Sequence, residues 1–365
     1  MIRVRPDVQS IAPYRPGRPI ADVAREYGFD PAEIVKLASN ESPLPPVRQA
    51  IAAMVEEVGA INRYPDNDCR DLRHGLADHF DIEADHLWIG GGSSEILRVI
   101  AAALGGAGTT AIYPWPSFVI YRLATVISGA TPREVPLTDD HSHDLDALRD
   151  AIDETTTAVY VCNPNNPTGS YLSSGAVSTF VDSVPDDVLV VVDEAYSEYV
   201  TADDYDSAMQ LALSRPNVIV TRTFSKVYGL AALRVGYAIS QPPIITELRK
   251  AQAPFSVTSV GQVGALASLS AGDEIARRIH SNAAERSRLE AVFADLKIEY
   301  VPSQANFVYL RLGSSTEATA AAFIRHGVIV RPFGDGWIRV SVGTPDENDR
   351  FLAALDAERA GLTVG

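Results

Sequence analysis

Lys226 is followed eight residues later by Arg234, within the stretch TRTFSKVYGLAALRVGY at residues 221–237. Hydroxyls flank the lysine at Thr221, Thr223 and Ser225, and most other positions in the stretch are small or apolar. The β-branched run Val218-Ile219-Val220 precedes it and reads as a short buried strand. Lys226 therefore falls where a strand ends and a turn begins, and in an open α/β sheet ligands bind outside those strand ends. An amine among apolar neighbours and near a second cation loses proton affinity and becomes a usable nucleophile. The same residues also fit a lysine that snorkels beside a sheet into solvent. What the chain brings to its other strand ends must decide.

Three further features fall at such ends. Asp193 closes the apolar run at residues 188–192, where an acid is costly unless it has a partner. It fits the magnesium-binding acid of an ATPase, the counter-ion of a protonated pyridine nitrogen, or a loop residue that caps a helix. The ATPase reading needs a P-loop, and the chain has none. The turn Asn163-Pro164-Asn165-Asn166-Pro167-Thr168-Gly169 is built from turn-forming residues and carries amides able to reach into a site. Gly90-Gly91-Gly92-Ser93-Ser94-Glu95 opens an apolar helix, a natural cradle for a phosphate at a helix start. It is not a dinucleotide fingerprint, because Glu95 stands where the third glycine belongs.

A nucleophilic lysine with a nearby arginine, a buried acid, an amide turn and a phosphate cradle together match one cofactor. Pyridoxal 5'-phosphate has an aldehyde, a pyridine nitrogen, a phenolic oxygen and a phosphate, one for each feature. No metal site is expected. His-Glu-x-x-His is absent, His141 and His143 sit in an acidic loop, and Cys69 and Cys162 are far apart. No Gly-x-Ser-x-Gly nucleophile elbow is present either.

The elements that must position these groups alternate along the chain. Helices are expected from about Pro46, where Val47, Ile51, Met54 and Val58 recur at helical spacing, and over residues 70–80. From residue 87 onward, short β-branched runs alternate with helical segments as far as residue 220. That pattern implies an α/β fold with a mainly parallel sheet sandwiched by helices. After Pro254 the character changes to a long helical region, three strands and a final helix opened by Thr344-Pro345-Asp346-Glu347, in the form of a capping box. This reads as a smaller α+β C-terminal domain. The expected organisation is an N-terminal arm at 1–36, a large domain at 37–254 and a small domain at 255–365. The arm is proline-rich, with Tyr14 and Arg15 as exposed hooks, and it reads equally as a frayed terminus.

The chain has 365 residues and a formal net charge of −16, which argues against nucleic-acid or anionic-membrane partners. The first ten residues hold no apolar signal core, and no run of 18 apolar residues occurs, so a cytoplasmic location is expected.

These motifs resemble the fold-type I aminotransferases, in the branch of the histidinol-phosphate and aromatic aminotransferases. The resemblance spans nearly the whole chain. It runs from Pro13-Tyr14-Arg15-Pro16-Gly17 through Leu37-Ala38-Ser39-Asn40-Glu41, Arg63-Tyr64-Pro65-Asp66, Asn165-Asn166-Pro167-Thr168-Gly169, Asp193-Glu194-Ala195-Tyr196 and Thr223-Phe224-Ser225-Lys226 to Arg339-Val340-Ser341-Val342-Gly343. It implies an aspartate-aminotransferase-like large domain and a pyridoxal-phosphate enzyme. It further implies that Lys226 holds the cofactor covalently and shuttles the proton, with Asp193 on the pyridine nitrogen. Asn166 and Tyr196 would bond the phenolic oxygen, and Phe118 would stack on the ring. Ser93, Ser94, Thr223, Ser225 and Arg234 would hold the phosphate, joined by Tyr64 from the partner subunit of a homodimer. Arg339 would bind the substrate carboxylate, with Tyr14 and Asn40 beside the substrate. The chain departs from many members at Ser94, where Asp is usual, and at Ser42, where Asn is usual. The wording of several motifs sits closer to the aromatic enzymes. A phenylalanine-like donor with 2-oxoglutarate as acceptor is therefore expected, with histidinol phosphate as the alternative donor.

Overall fold

Thirteen strands run through the computed structural model, which describes residues 2–14, 16–313 and 315–358. Arg15 lies outside the described residues. The strands are β1 (Val35–Lys36), β2 (Leu87–Gly90), β3 (Thr110–Trp115), β4 (Thr131–Pro136), β5 (Thr156–Cys162), β6 (Leu189–Asp193) and β7 (Val218–Thr223). They continue as β8 (Gly236–Ser240), β9 (Tyr300–Val301), β10 (Phe307–Arg311), β11 (Val328–Ile329), β12 (Arg331–Gly334) and β13 (Trp337–Ser341).

The large sheet has the order β2-β8-β7-β6-β5-β3-β4. Only β8 breaks the parallel arrangement, running antiparallel to β2 and β7. Strands covered on both faces need continuous apolar runs, and β6 and β7 are buried at every residue. Their side chains alternate between two cores. Val190, Val192, Val218 and Val220 enter one, while Val191 and Ile219 enter the other. Cys162, Asp193 and Thr221 stand in register across β5, β6 and β7. The amide turn, the buried acid and the lysine turn therefore leave the sheet along one edge.

The small domain holds an antiparallel sheet of order β12-β13-β10-β9 over a core that includes Leu289, Phe293, Phe323 and Phe351. Its last helix, Pro345–Glu358, has the expected capping box. Thr344 N donates to Glu347 Oε2 at 2.8 Å, and Glu347 N donates to Thr344 Oγ1 at 3.3 Å.

Packing crosses the boundaries read from sequence. β1 pairs with β11, and Val35 from the arm and Leu37, the first residue of the expected large domain, both join the small core. The Ser259–Leu269 helix returns to the large core through Ala265. It lies against the Arg48–Glu57 helix, where a Cβ on Gly264 would stand 3.1 Å from Met54. The next helix, Gly272–Asp295, joins both cores. Ile275 packs in the large one, Leu289 and Phe293 in the small one. At 1.5 Å per residue it is about 36 Å long, enough to span them.

The Arg48–Glu57 helix forms where the spacing placed it. Val47 and Ala50 are buried, but Ile51 is 42% and Val58 54% exposed, as is Val55 at 70%. The helical spacing was right, but while Val47 and Met54 pack on the large core, Ile51 and Val58 lie with Val55 on a second apolar side that faces away from it. The N-terminal arm is more regular than its prolines suggest, with helices Pro6–Gln9 and Ile20–Tyr27. Arg5 pins it by donating to the carbonyls of Val126 at 3.0 Å and Ile127 at 2.7 Å. Among the described residues, no helix is long and apolar enough to cross a membrane.

Candidate active site

A cavity of about 330 Å³ opens where β5, β6 and β7 end. Every residue singled out from the sequence lines it except Tyr64. Volume alone does not pick the site, since a larger cavity of about 520 Å³ beside Arg73 and Arg249 contains none of them.

Asp193 is buried, and hydroxyls hold both its oxygens. Tyr121 Oη donates to Oδ2 at 2.8 Å and Thr221 Oγ1 donates to Oδ1 at 3.1 Å. Burial pushes its pKa up to about 6, and the two hydroxyls pull the other way. The neighbouring Glu194 turns aside into a buried ion pair with Arg222, at 3.0 Å from Nε and 2.8 Å from Nη2. Tyr121 is a site residue that sequence reading missed. It follows Phe118 by three positions, and the two rings meet edge to face at 5.8 Å. Those aromatics at helical spacing were the available signal.

Lys226 Nζ lies 5.3 Å from the centre of the Tyr196 ring. Burial lowers its pKa to about 7, helped by Arg339 and Arg234 and opposed by Glu41 and Asp193. The amine is thus substantially neutral near physiological pH. Tyr196 accepts a hydrogen bond from Asn40 Nδ2 at 3.0 Å. Asn40 has a left-handed backbone, φ 54°, which asparagine tolerates. Its N–H donates to Ser341 Oγ at 2.8 Å, which ties this segment to β13.

Arg339 extends from β13 and is buried between two rings, 5.3 Å from Phe307 and 5.4 Å from Phe333. It donates to Asn166 Oδ1 and, at 2.9 Å, to the Ala38 carbonyl. Its Nε is buried without a partner among the described residues. Burial lowers its pKa to about 10, so the guanidinium stays charged at neutral pH. With Oδ1 of Asn166 held by Arg339, its amide NH2 is the end left for a ligand.

The fourth corner is the start of the Ser93–Leu104 helix. Gly92 caps it at φ 81°, and no side chain bonds the first-turn N–H groups as a cap. Arg234 Nη1 donates to Ser225 Oγ at 3.3 Å, and Thr223 Oγ1 donates to Ser225 Oγ at 2.9 Å. A Cβ on Gly92 would stand 2.5 Å from Arg234 Nη2, so glycine keeps the cradle open. Free helix N–H groups, hydroxyls and one guanidinium form an anion site. Tyr64 lies apart from its own cavity. It is 83% exposed and stacks on Phe255 at 4.6 Å. Tyr14 lines the cavity mouth with its ring 5.5 Å from the Arg331 guanidinium carbon.

The residues present fit pyridoxal phosphate. An anion cradle kept open by a glycine, a buried carboxylate, a phenol–amide pair and a lysine of lowered proton affinity surround one cavity.

The family model for aminotransferase class I and II matches residues 32–355. The chain is 43% identical over 360 residues to histidinol-phosphate aminotransferase 2 of Ralstonia nicotianae, covering 97% of this chain and 96% of that protein. It is 42% identical over 360 residues to the aromatic amino acid aminotransferase of Streptomyces avermitilis, covering 99% and 98%. It superimposes with a TM-score of 0.89 on the crystal structure of histidinol-phosphate aminotransferase from Sinorhizobium meliloti in complex with pyridoxal-5'-phosphate, at 28% identity and covering 100% and 99%. By sequence, fold and site chemistry, this chain belongs to the class I and II aminotransferases, pyridoxal-phosphate enzymes of fold type I.

Proposed function

We propose that this chain transfers the amino group of a phenylalanine-like aromatic amino acid to 2-oxoglutarate by a ping-pong mechanism. Arg339 carries the reading. It is a charged guanidinium set between Phe307 and Phe333 in the cavity that Tyr14 also lines, a carboxylate-binding cation framed by aromatic faces. The relative named an aromatic amino acid aminotransferase, similar over nearly its full length, supports the same donor class.

When bound, pyridoxal phosphate supplies an aldehyde for covalent attachment and a protonated ring that accepts the electron pair left as a Cα–H bond breaks. Lys226 would hold it through Nζ, and its amine, of lowered proton affinity, would serve as the base for the donor's Cα proton. Asp193, steadied by Tyr121 and Thr221, would keep the ring nitrogen protonated. Tyr196 and Asn166 would hold the phenolic oxygen, and Phe118 would stack on the ring. Ser93, Ser94, Thr223, Ser225 and Arg234 would hold the phosphate. Arg339 orients the substrate carboxylate, with Asn40 and Tyr14 beside it.

A homodimer completes this reading, with the partner's Tyr64 reaching the phosphate. The apolar side formed by Ile51, Val55, Val58 and Ile61, continuing to Tyr64 and Phe255, supports a second copy as its cover. Two buried free thiols, Cys69 and Cys162, support a reducing, cytoplasmic location.

Histidinol phosphate is the second reading of the donor, because Arg339 would meet a phosphate as well as a carboxylate. Similarity to the Ralstonia protein of that name supports it. Side-by-side kinetics with phenylalanine and histidinol phosphate, each with 2-oxoglutarate, test the choice. The expected result is a kcat/KM for phenylalanine higher by about tenfold or more, equivalent to about 1.4 kcal/mol in the transition state. A preference for the phosphate ester overturns it.

A further inference from the structure

The long Gly272–Asp295 helix carries a buried arginine that the mechanism above does not use. Arg278 is 7% exposed. Its Nη2 donates to the Pro45 carbonyl at 2.7 Å, its Nη1 to the Val227 carbonyl at 3.3 Å and its Nε to Glu274 Oε1 at 3.1 Å. Val227 is the residue after Lys226. Pro45 closes the segment that begins with Asn40 and Glu41, both of which line the cavity. Two chain segments that meet at the site are thus bridged from behind by one guanidinium.

The contact is tight. Gly229 completes the lysine turn at φ 72°, with its N–H donating to the Lys226 carbonyl at 2.9 Å. A Cβ there would stand 3.1 Å from Leu44 O, 3.3 Å from Arg278 Nη1 and 3.4 Å from Pro45 O. Arginine presents its donors as a rigid planar fork, so it can serve two carbonyls and a carboxylate at once. Lysine is a single flexible ammonium and holds such a geometry less well. Removing the fork leaves buried carbonyls without a donor, which favours movement of both segments. Further along the same helix, Arg286 Nη1 bonds the carbonyls of Tyr199 at 3.3 Å and Ala305 at 3.2 Å. The helix thereby acts as a rail against which large-domain loops are set.

We propose that Arg278 is a positioning residue for Lys226, fixing the lysine turn and the 40–45 segment to the interdomain helix so that Nζ stands at the cavity floor. The proposal rests on the reading of Lys226 as the residue that binds the cofactor.

The test uses holoenzyme carrying Arg278→Met, Arg278→Lys or, as a control on the same helix, Arg288→Met. Arg288 pairs with Glu285 and Asp349 away from the cavity. In Arg278→Met, amide exchange of peptides covering residues 224–230 and 38–44 is expected to speed up by about tenfold, with small-domain peptides unchanged. The kcat is expected to fall by about tenfold or more with the donor KM within about threefold, as for a displaced catalytic group. Arg278→Lys, which also serves if the methionine variant does not fold, should fall between wild type and Arg278→Met, while Arg288→Met should match wild type. Unchanged exchange in the lysine turn, or unchanged kcat, overturns the proposal. So does faster exchange across the whole large domain in step with lost activity, which would make Arg278 a general structural residue. Borohydride trapping in Lys226→Ala separates the two readings. Cofactor trapped there would refute Lys226 as the attachment point, while the exchange pattern would still report on the clamp itself.

Discussion

The phenol of Tyr121 donates to Oδ2 of Asp193 across 2.8 Å, joining a helix that follows β3 to the last residue of β6. With Thr221 on Oδ1, this aims the carboxylate by two neutral donors. An acid held this way is oriented without being neutralised by a cation. On the proposed reading its charge would serve a protonated ring nitrogen, whose positive charge would in turn lower the carboxyl's own pKa from its elevated value.

Tyr121→Phe should therefore lower kcat without emptying the site. A hydrogen bond to a charged group contributes about 1.5–3 kcal/mol. Loss of about 1.4 kcal/mol from the transition state is about tenfold in rate. The expected result is a kcat reduced by about tenfold, with cofactor binding retained by absorbance. Wild-type kcat in this variant would remove Tyr121 from the support of Asp193.

Lys226 makes a pH prediction. Its pKa is lowered to about 7, first by burial and then by Arg339, so its neutral amine appears through that pH and not near the ordinary 10.5. Capture of pyridoxal phosphate by apoprotein should accelerate as pH rises through about 7 and then level off. Between the folded value and 10.5 the unfolded chain binds more protons at this group. Its contribution to apoprotein stability therefore rises with pH across that window and is lost as pH falls toward 7. Arg339→Gln, by removing the cation that lowers the lysine's proton affinity most, should move the capture midpoint upward. A midpoint near 10 in wild type would show a solvated lysine.

The same substitution should weaken both halves of the reaction. Arg339 holds Asn166 Oδ1 and the Ala38 carbonyl while lining the cavity, so on the proposed reading Arg339→Gln would remove a carboxylate partner and loosen a cofactor contact. A fall of about a hundredfold in kcat/KM for donor and acceptor alike is expected, corresponding to about 2.7 kcal/mol. If only one substrate is affected, the two carboxylates do not share this site.

Most of the candidate site, as residues gathered on one cavity, was legible because its groups mark the ends of strong β-branched runs. Asp193 and the Asn163–Gly169 turn follow such runs directly, and Lys226 follows one after a few residues, so the edge of the sheet could be read one strand at a time. Tyr121 was not legible, since its partner is 72 positions away and a tyrosine on an apolar helix reads as core. Arg278 and Arg286 were hidden for the opposite reason. An Ala-, Arg- and Glu-rich helix reads as a solvated face, and only the meeting of two cores along it buries them. The Pro254 boundary reflects a real change in composition, but the close helix contact at Gly264 draws the next helix back to the large domain. Periodicity likewise located the Arg48–Glu57 helix without saying which apolar side faces the core.

That outward side yields a prediction about assembly. Val55 is 70% exposed on the helix that leads toward Tyr64. Val55→Glu places a charge on the apolar face without touching either core. The expected outcome is a folded monomer by sedimentation, with weaker cofactor retention because the partner's Tyr64 is lost. A variant that remains dimeric would place the subunit contact elsewhere.

Gly92→Ala tests the phosphate corner by geometry alone. At φ 81° and ψ 161°, a region essentially reserved for glycine, an alanine is strained by about 1–3 kcal/mol, so some stability is lost whatever surrounds it. The new Cβ would also stand 2.5 Å from Arg234 Nη2. That atom is the end of a flexible side chain and can swing away, so the steric term costs the apoprotein little. Swinging away, however, takes the guanidinium out of the cradle at the helix start. The expected signature is therefore a split between two measurements. Thermal unfolding of the apoprotein should shift by about 1–4 °C, as for about 1–3 kcal/mol in a chain of this size, while the pyridoxal phosphate Kd should weaken by about tenfold or more. A Kd that changes no more than the apoprotein stability would mean that Arg234 does not hold the phosphate.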